Sequence, residues 1–417
     1  MKKTVFILLF LALALSLPAQ TAREEIAADR AKAAGLHYAY PGPQGVQTPA
    51  PKGYKAFYIS HFGRHGSRWH TSEEDYKDIV QFLQKVREDG LLTPVGEDAL
   101  TKAETMWEDA KGHIGELTPL GMRQHESVAG RMFKSFPEAF KGDARVTANS
   151  TLSPRVMMSM FYFCNTLKKL NPSLQIEINS SRRDSRFVSN RYKPEEKPAY
   201  DVQEETLAFM RKIIKPGRLM DVLFTDPASV GSECDRQEVF CAMCYLTGMT
   251  QNVGLDSLSF ADIFTDDEWY DYWRVGNYEL YLFAADPRAD EIRIKSCSPM
   301  IAHIIEQADS VIGESGRGAT LRVSHDSYLV PMAICLGLDG CTGQAENPED
   351  CDQVFWDYKI SPMCGNIQIV FFRNRKGDVL VKFLLNENEV GIPLETDCYP
   401  FYRWDDVKAY YKTLYNI

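Results

Sequence analysis

Short runs of hydrophobic residues alternate with longer segments that have a helical period. Residues 54–62 are rich in aromatic and β-branched side chains and end at Gly63, which is typical of a buried strand followed by a loop. Similar short runs at 144–148, 174–178 and 319–324 predict three more strands. Each of these strands is followed by a polar loop or turn.

The segments between these runs have the pattern of amphipathic helices. Pro154 stands at the start of one of them, a position that proline favours. The predicted helices cover 72–88, 97–111, 117–136, 154–170 and 405–414. Residues 367–373 and 379–385 flank a turn and predict a hairpin. The pattern predicts an α/β fold: a three-layer core with a mostly parallel sheet and helices on both faces.

The middle of the chain departs from this alternation. Residues 180–200 are basic and irregular, and residues 204–313 are mostly helical, with many aromatic side chains near 269–283. We interpret this stretch as an inserted helical cap domain. The expected domains are a first core segment at 20–179, the cap at 180–315 and a second core segment at 316–417.

The first nineteen residues have the pattern of a signal peptide. Lys2 and Lys3 precede the apolar run Val5 to Leu17, and Pro18 and Ala19 begin a plausible cleavage region. The run is short for a spanning helix, which needs about 20 apolar residues, although an uncleaved anchor is the alternative. We therefore expect a periplasmic or secreted protein, where disulfides among its ten cysteines would persist.

Composition and charge restrict the class of partner. Apolar residues make up 44% of the chain and charged residues 25%, as in soluble globular proteins. The net charge of −10 repels nucleic acid and anionic membrane surfaces at long range. An anionic substrate would therefore need a local cluster of cationic side chains.

Arg64-His65-Gly66-Ser67-Arg68 follows the first predicted strand and is the strongest candidate for such a cluster. Phosphoryl transfer places negative charge on three equatorial oxygens, which guanidinium groups are suited to bind. A histidine between arginines stays unprotonated and can attack phosphorus. The alternative is a basic surface loop with a solvated histidine.

Two further candidates follow other predicted strands. His325-Asp326 comes after the strand at 319–324, where Asp326 can protonate a leaving group and His325 can donate to a phosphate oxygen. Arg155 lies at a helix start, where the helix dipole also favours an anion. Taken singly, the pair and the arginine are also compatible with ordinary surface positions. Ligands of α/β sheets bind at the carboxyl ends of strands, so all three segments are expected at one edge.

Together these segments resemble the histidine phosphatase superfamily, and within it the histidine acid phosphatases. That branch carries R-H-G-x-R-x-P-T, then S-T-x-x-x-R, then H-D. The chain has Arg64 to Thr71, Ser150 to Arg155, and His325-Asp326 in that order, within a match from about residue 54 to 385.

The resemblance implies a role for each matching position. His65 would form a phosphohistidine, and Asp326 would be the proton donor. The implied substrate-binding residues are Arg64, Arg68, Thr71, Arg155 and His325. It also implies an α/β core with an inserted helical cap, and neither a metal nor a cofactor.

One position departs from the family pattern, and one segment points to a subfamily. His70 replaces the family's proline, and we interpret it as a tolerated surface residue rather than an extra phosphate contact. The segments near Trp269 and Asp184 resemble multiple inositol polyphosphate phosphatases, although those carry H-A-E where this chain has His325-Asp326-Ser327. Basic residues that could bind a polyphosphorylated ligand, or be a solvated loop, are Arg182, Arg183, Arg186, Arg191 and Lys193.

The leading hypothesis is an exported phosphomonoesterase acting on small phosphate esters such as inositol polyphosphates. One alternative is a phosphotransferase or mutase of the same superfamily. Another is a non-catalytic phosphate-binding protein with the same fold. Simple binding needs neither a nucleophile nor an acid, so the presence of both His65 and Asp326 favours catalysis.

Overall fold

A computed structural model describes residues 20–183, 187–189, 198 and 200–417 of the chain. The predicted signal peptide at 1–19 and the basic residues Arg186, Arg191 and Lys193 lie outside the described residues. Within the described residues, no helix is long and apolar enough to cross a membrane.

Several α-helices of the described segments begin at a side chain that caps the helix. Thr93 and Thr118 each precede a proline, and each side chain accepts a hydrogen bond from the third residue of its helix. The helices are α1 (Ala22–Ala28), α2 (Glu74–Glu88), α3 (Pro94–Ala110), α4 (Pro119–Ser135), α5 (Pro154–Leu170), α6 (Val202–Ile213), α7 (Gly217–Leu223), α8 (Glu233–Val253), α9 (Asp266–Ala284), α10 (Asp290–Gly313), α11 (Asp326–Cys335), α12 (Asp357–Ile360) and α13 (Trp404–Tyr415). A 3-10 helix, Arg30–His37, follows α1.

The strands of the described residues form one mixed sheet. They are β1 (Lys55–Arg64), β2 (Arg145–Ser150), β3 (Gln175–Asn179), β4 (Gly318–Ser324), β5 (Asn366–Arg373), β6 (Val379–Leu385), β7 (Asn388–Val390) and β8 (Phe401–Arg403). The order is β3-β2-β4-β1-β5-β6-β7, with β8 also paired to β6. The first four strands in this order are parallel, and the others pair antiparallel. The predicted α/β class with mostly parallel strands and the predicted hairpin, β5 and β6, are confirmed.

Helices cover both faces of the sheet. On one face, Ile301 of α10, Val330 of α11 and Val407 of α13 belong to a core with Phe371 of β5. On the other face, helices α4 and α5 pack in a second core that includes Val370, the residue before Phe371 in β5. Successive side chains of a strand point to opposite faces, so β5 contributes to both cores.

A third core among the described residues is built from helices and the loops between them, without a strand residue. It joins α2 and α3 to α7, α8 and the first half of α9, with Trp269 and Trp273 fully buried in it. The helical cluster thus draws on residues 74–110 as well as on residues 217–273. The expected domain boundaries at 180 and 315 stay a prediction.

The register of the parallel strands determines where the polar loops lie. Arg64 pairs with Ser324 at the ends of β1 and β4, and Ser150 pairs with Val323 at the end of β2. The three candidate segments therefore leave the same edge of the sheet. Strand β1 continues to Arg64 instead of breaking at Gly63, because the Arg64 backbone N–H donates to the Gly365 carbonyl at 2.8 Å.

Candidate active site

The backbone of His65 is held between two strand ends. Its N–H donates to the Ser324 carbonyl at 3.0 Å, and its carbonyl accepts from the N–H of Cys364 at 2.9 Å. The side chain is 1% exposed. This residue is therefore an ordered part of the sheet edge and not a solvated loop histidine.

The hydrogen bond of the His65 ring defines its tautomer. Nδ1 lies 2.9 Å from the Gly66 carbonyl oxygen, which can only accept, so Nδ1 carries the proton and Nε2 has a free lone pair. Burial lowers the pKa of His65 well below its ordinary value, and the positive charges of Arg64, Arg68 and Arg155 lower it further. His65 is thus a neutral imidazole with an available nucleophilic nitrogen.

The loop after His65 packs against the start of α4. A Cβ atom on Gly66 would lie 2.6 Å from the Gly121 carbonyl oxygen, and one on Gly121 would lie 2.3 Å from the Ser67 carbonyl oxygen. Thr118 adds two hydrogen bonds to that Ser67 oxygen, from its N–H at 2.9 Å and its hydroxyl at 3.1 Å. Only glycines allow this approach of the two backbones.

Arg64 is fully buried and is tied to three different segments. Its Nη1 donates to the carbonyls of Leu36 at 2.5 Å and Ser361 at 2.7 Å, and its Nη2 lies 2.5 Å from Oδ2 of Asp326. Its side chain is therefore fixed in the free protein, and its charge is directed toward the proposed proton donor.

Arg68 and Arg155 complete a cluster of three guanidinium groups. Arg68 donates to the Trp69 carbonyl at 2.9 Å and to Nε2 of His37 at 3.3 Å. The Nε atoms of Arg64, Arg68 and Arg155 are all buried and have no hydrogen-bond acceptor among the described residues. Buried donors are normally paired, so three orphaned donors with excess positive charge favour an anion at this place.

His325 and Asp326 lie where β4 passes into α11. The His325 ring is 5.4 Å from the His65 ring, centroid to centroid, and its Nε2 lies 3.2 Å from the Thr151 hydroxyl. Burial and Arg155 lower the pKa of His325 to about 4. Burial raises the pKa of Asp326, but the charges of Arg64, Arg68 and His325 outweigh it, so that pKa lies below its ordinary value.

The structure brings together six of the seven side chains that the sequence singled out, namely Arg64, His65, Arg68, Arg155, His325 and Asp326. The seventh, Thr71, is exposed. It lies at the margin, where a Cβ on Gly115 would be 3.8 Å from Thr71 and 3.7 Å from Nη1 of Arg155. The roles assigned to these residues stay predictions.

The interpretation of His70 as a surface residue is wrong. His70 is fully buried, with its ring 3.9 Å from that of Tyr245 and 4.8 Å from that of Tyr76, centroid to centroid. Its Nδ1 lies 3.5 Å from Oδ2 of Asp75. The ring is buried because α2 and α8 both pack at this position against residues 65–71, the candidate catalytic loop.

Three residues at the site were missed by sequence reasoning. Thr151 lies inside the Ser150 to Arg155 segment, so that motif was a signal that could have located it. Its hydroxyl contacts His325. His37, whose ring accepts from Arg68, and Tyr245, whose ring packs against His70, come from segments without a motif. Only the tertiary structure brings them to the catalytic loop.

Among the described residues, no group of three or more acidic, histidine or cysteine side chains is arranged to hold a metal ion. The expectation that the chain needs neither metal nor cofactor stays a prediction.

Known proteins resemble this chain in structure and not in sequence. No protein-family model matches it, and no curated protein matches it. The multiple inositol polyphosphate phosphatase of Bifidobacterium longum, in complex with inositol hexasulfate, has a TM-score of 0.73 at 15% identity, over 90% of this chain and 97% of that one. The chain has the fold of this phosphatase.

Two phytases share the fold as well. The phytase from D. castellii has a TM-score of 0.71 at 15% identity, over 96% of this chain and 88% of that one. The Hafnia alvei phytase has a TM-score of 0.51 at 13% identity, over 88% of this chain and 98% of that one. The phytase-like fold expected from the motifs is therefore confirmed.

Proposed function

We propose that the chain is a phosphomonoesterase that forms a covalent phosphohistidine on His65. The observation that carries this proposal is the neutral, buried His65, whose Nε2 lone pair is free beside guanidinium groups with orphaned donors. A protein that only binds phosphate gains nothing from a nucleophile in this tautomer. Phosphatases among the structures with this fold add support.

In the first chemical step, the phosphate group lies among Arg64, Arg68 and Arg155. Nε2 of His65 forms a bond to phosphorus while the bond from phosphorus to the ester oxygen breaks. Asp326 gives a proton to the departing alkoxide. In the second step, water attacks the phosphohistidine, Asp326 takes a proton from that water, and phosphate leaves with His65 restored.

The pairing of Asp326 with Arg64 links substrate binding to proton donation. In the free protein this carboxylate is ionised because Arg64 lies 2.5 Å away. A bound phosphate dianion shares the guanidinium and adds negative charge nearby, and both effects raise the pKa of Asp326. Asp326 is then protonated from solvent in acidic solution, which predicts an acidic pH optimum.

We further propose an inositol polyphosphate as the substrate and export as the destination. The basic segment continues from Ser180, whose hydroxyl lies 2.6 Å from that of Ser150, into exposed Arg182 and Arg183. The same segment returns to the sheet edge at Val188, whose carbonyl accepts from the Ser324 hydroxyl. These arginines are thus close to the strand ends and suit additional phosphate groups. The N-terminal sequence supports export.

The first test is hydrolysis of 4-nitrophenyl phosphate by the purified protein, with and without EDTA. Phosphate release should survive EDTA and disappear in His65→Ala, while His113→Ala, an exposed histidine variant, should keep it. Release over phytate, sugar phosphates and nucleotides at several pH values identifies the substrate. An ester that binds without turnover would instead support a binding protein, and a transferred phosphoryl group would support a phosphotransferase.

Asp326→Asn tests the proton donor separately. The amide cannot protonate an alkoxide, so kcat/KM for an alkyl phosphate, which reports the steps up to formation of the phosphohistidine, should fall by about 10²- to 10⁴-fold. The loss for 4-nitrophenyl phosphate should be much smaller, because nitrophenolate leaves without a proton. An equal loss for both esters would contradict the assignment of Asp326 as general acid.

A further inference from the structure

The guanidinium of Arg68 has one hydrogen-bond partner inside its own motif and one outside the phosphatase motifs. It donates to the Trp69 carbonyl at 2.9 Å and to Nε2 of His37 at 3.3 Å. Arginine has no acceptor, so Nε2 of His37 must accept, and the ring must be neutral with its proton on Nδ1. His37 is therefore a hydrogen-bond acceptor for Arg68.

His37 is fixed to the catalytic loop by its backbone as well as by its ring. Its carbonyl accepts from Nδ2 of Asn252 at 2.7 Å, and Oδ1 of the same asparagine accepts from the Ser67 hydroxyl at 2.6 Å. Asn252 is fully buried. The His37 ring packs edge-on against Tyr245 at 5.0 Å, centroid to centroid. The backbone and the ring of His37 are thus both held beside the loop that carries Arg68.

The charges around His37 keep it in the accepting state. Burial lowers the pKa of His37 well below its ordinary value, and Arg68, His70 and Arg64 lower it further. The titratable and charged groups that face the ring are Arg64, Arg68 and His70 on β1 and its following loop, and Tyr245 on α8. A protonated His37 would lose the acceptor and place a second positive charge against Arg68.

We propose that His37 is a positioning residue that holds Arg68 in the orientation that binds the phosphate group. This inference rests on the proposed function in that Arg68 is taken as a phosphate ligand. His37 itself does not touch the substrate in this scheme. Its loss should weaken the ground-state binding of phosphate more than the chemical step.

The test compares His37→Leu, which removes the acceptor, with His37→Gln, whose amide oxygen can accept from Arg68 but cannot titrate. KM for 4-nitrophenyl phosphate and Kd for inorganic phosphate should both rise by about tenfold in His37→Leu, as for the loss of a bond to a charged group. We expect kcat to stay within about threefold, and His37→Gln to restore KM and Kd. His125→Leu, a buried histidine variant without an arginine contact, controls for folding.

A double-mutant cycle with Arg68→Ala separates positioning from a general structural effect. The ratio kcat/KM can be measured from initial rates at low substrate concentration even when KM is very high. Since His37 acts through Arg68, His37→Leu should change kcat/KM by less than about twofold in the Arg68→Ala background. His37→Met, whose thioether sulfur is only a weak acceptor, repeats the test if His37→Leu does not fold.

Three results would overturn the proposal: an unchanged phosphate Kd in His37→Leu, an equal loss with and without Arg68, or no rescue by His37→Gln. Calorimetry with inorganic phosphate keeps this inference separate from the proposed function. A wild-type protein that binds phosphate without hydrolysing esters would refute the phosphatase, while the Kd values would still decide the role of His37.

Discussion

Four histidines of the site have pKa values below the ordinary value of the side chain. Burial and neighbouring arginines lower the pKa of His37, His65, His70 and His325. The imidazoles are therefore neutral near pH 7, and the positive charge of the site is concentrated on the arginines. In the proposed mechanism these two sets of side chains have separate tasks: the arginines bind the anion, and the neutral rings supply lone pairs and hydrogen bonds.

His70 is expected to contribute to stability through its buried ring. His70→Ala removes the contacts with Tyr245 and Tyr76, so it should lower the free energy of unfolding by about 3 kcal/mol, as for other large-to-small core changes. Urea unfolding at pH 7 measures the change. The exposed His113→Ala should shift stability by no more than about 0.5 kcal/mol. Equal stability of the two variants would contradict a packing role for His70.

At the residue scale, the sequence pattern located the groups that carry charge or a lone pair. It did not locate the residues that hold those groups in place. His65 and Asp326 stand in motifs whose chemistry can be argued from residue type. The burial of His70 and the contact of His37 with Arg68 depend on where α2, α8 and the N-terminal 3-10 helix pack. No local pattern near residue 37 contains that information.

At the scale of elements, the loop of residues 65–71 is hydrogen-bonded to the first turn of α4. Thr118 caps the helix through Gly121 N–H and also donates to the Ser67 carbonyl, so one side chain orders both segments. Ser67 further donates its N–H to Oε1 of Gln124, one turn along the same helix. The position of His65 and Arg68 therefore depends on this helix start.

Gly121→Ala tests this dependence against a matched glycine of the same helix. The new Cβ would lie 2.3 Å from the Ser67 carbonyl oxygen, so the loop must shift and kcat/KM should fall by about 10²-fold. Gly130→Ala, which has open space around its Cβ, should keep activity and gain about 0.5–1 kcal/mol from helix propensity. Equal activity of both variants would show that this close contact does not position the site.

The elements themselves were largely predictable, because their hydrophobic periods are strong. Strands β1 and β4 and helices α2 and α5 lie within a few residues of their expected bounds. The packing of α2 and α3 with α8 was not predictable, since these helices come from distant parts of the chain. Helix periodicity shows which face is buried but does not identify the partner.

At the scale of the whole molecule, Asp357 connects the helical cluster to the site. This residue is 2% exposed; its Oδ1 accepts from Nε1 of Trp273 on α9 at 2.8 Å, and its Oδ2 lies against Gly35, where a Cβ would be 2.4 Å away. The carbonyl of the next residue, Leu36, accepts from Arg64. Burial raises the pKa of Asp357 to about 6, although Trp273 and Arg64 lower it.

This raised pKa predicts how stability changes with pH. Because the folded state holds the Asp357 proton more tightly than the unfolded chain, the stabilisation is complete below about pH 4 and is lost as the pH rises through about 6. The shift corresponds to about 3 kcal/mol. Asp357→Asn keeps an acceptor for Trp273 and does not titrate, so it should gain about that much relative to wild type between pH 4 and pH 7.

Urea unfolding of both proteins at pH 4, 5, 6 and 7 measures this difference, and other titrating groups cancel in the comparison. Asp143→Asn, at an exposed position, should track the wild type at every pH. A difference between Asp357→Asn and wild type that stays constant with pH would contradict a buried, raised pKa.

The ionised Asp357 lies near Arg64 and favours its charge. Arg64 keeps its proton at pH 7 in both proteins, so Asp357→Asn removes only a negative charge near the anion site. We therefore expect Asp357→Asn to bind phosphate at least as tightly as the wild type at pH 7, while it unfolds less readily.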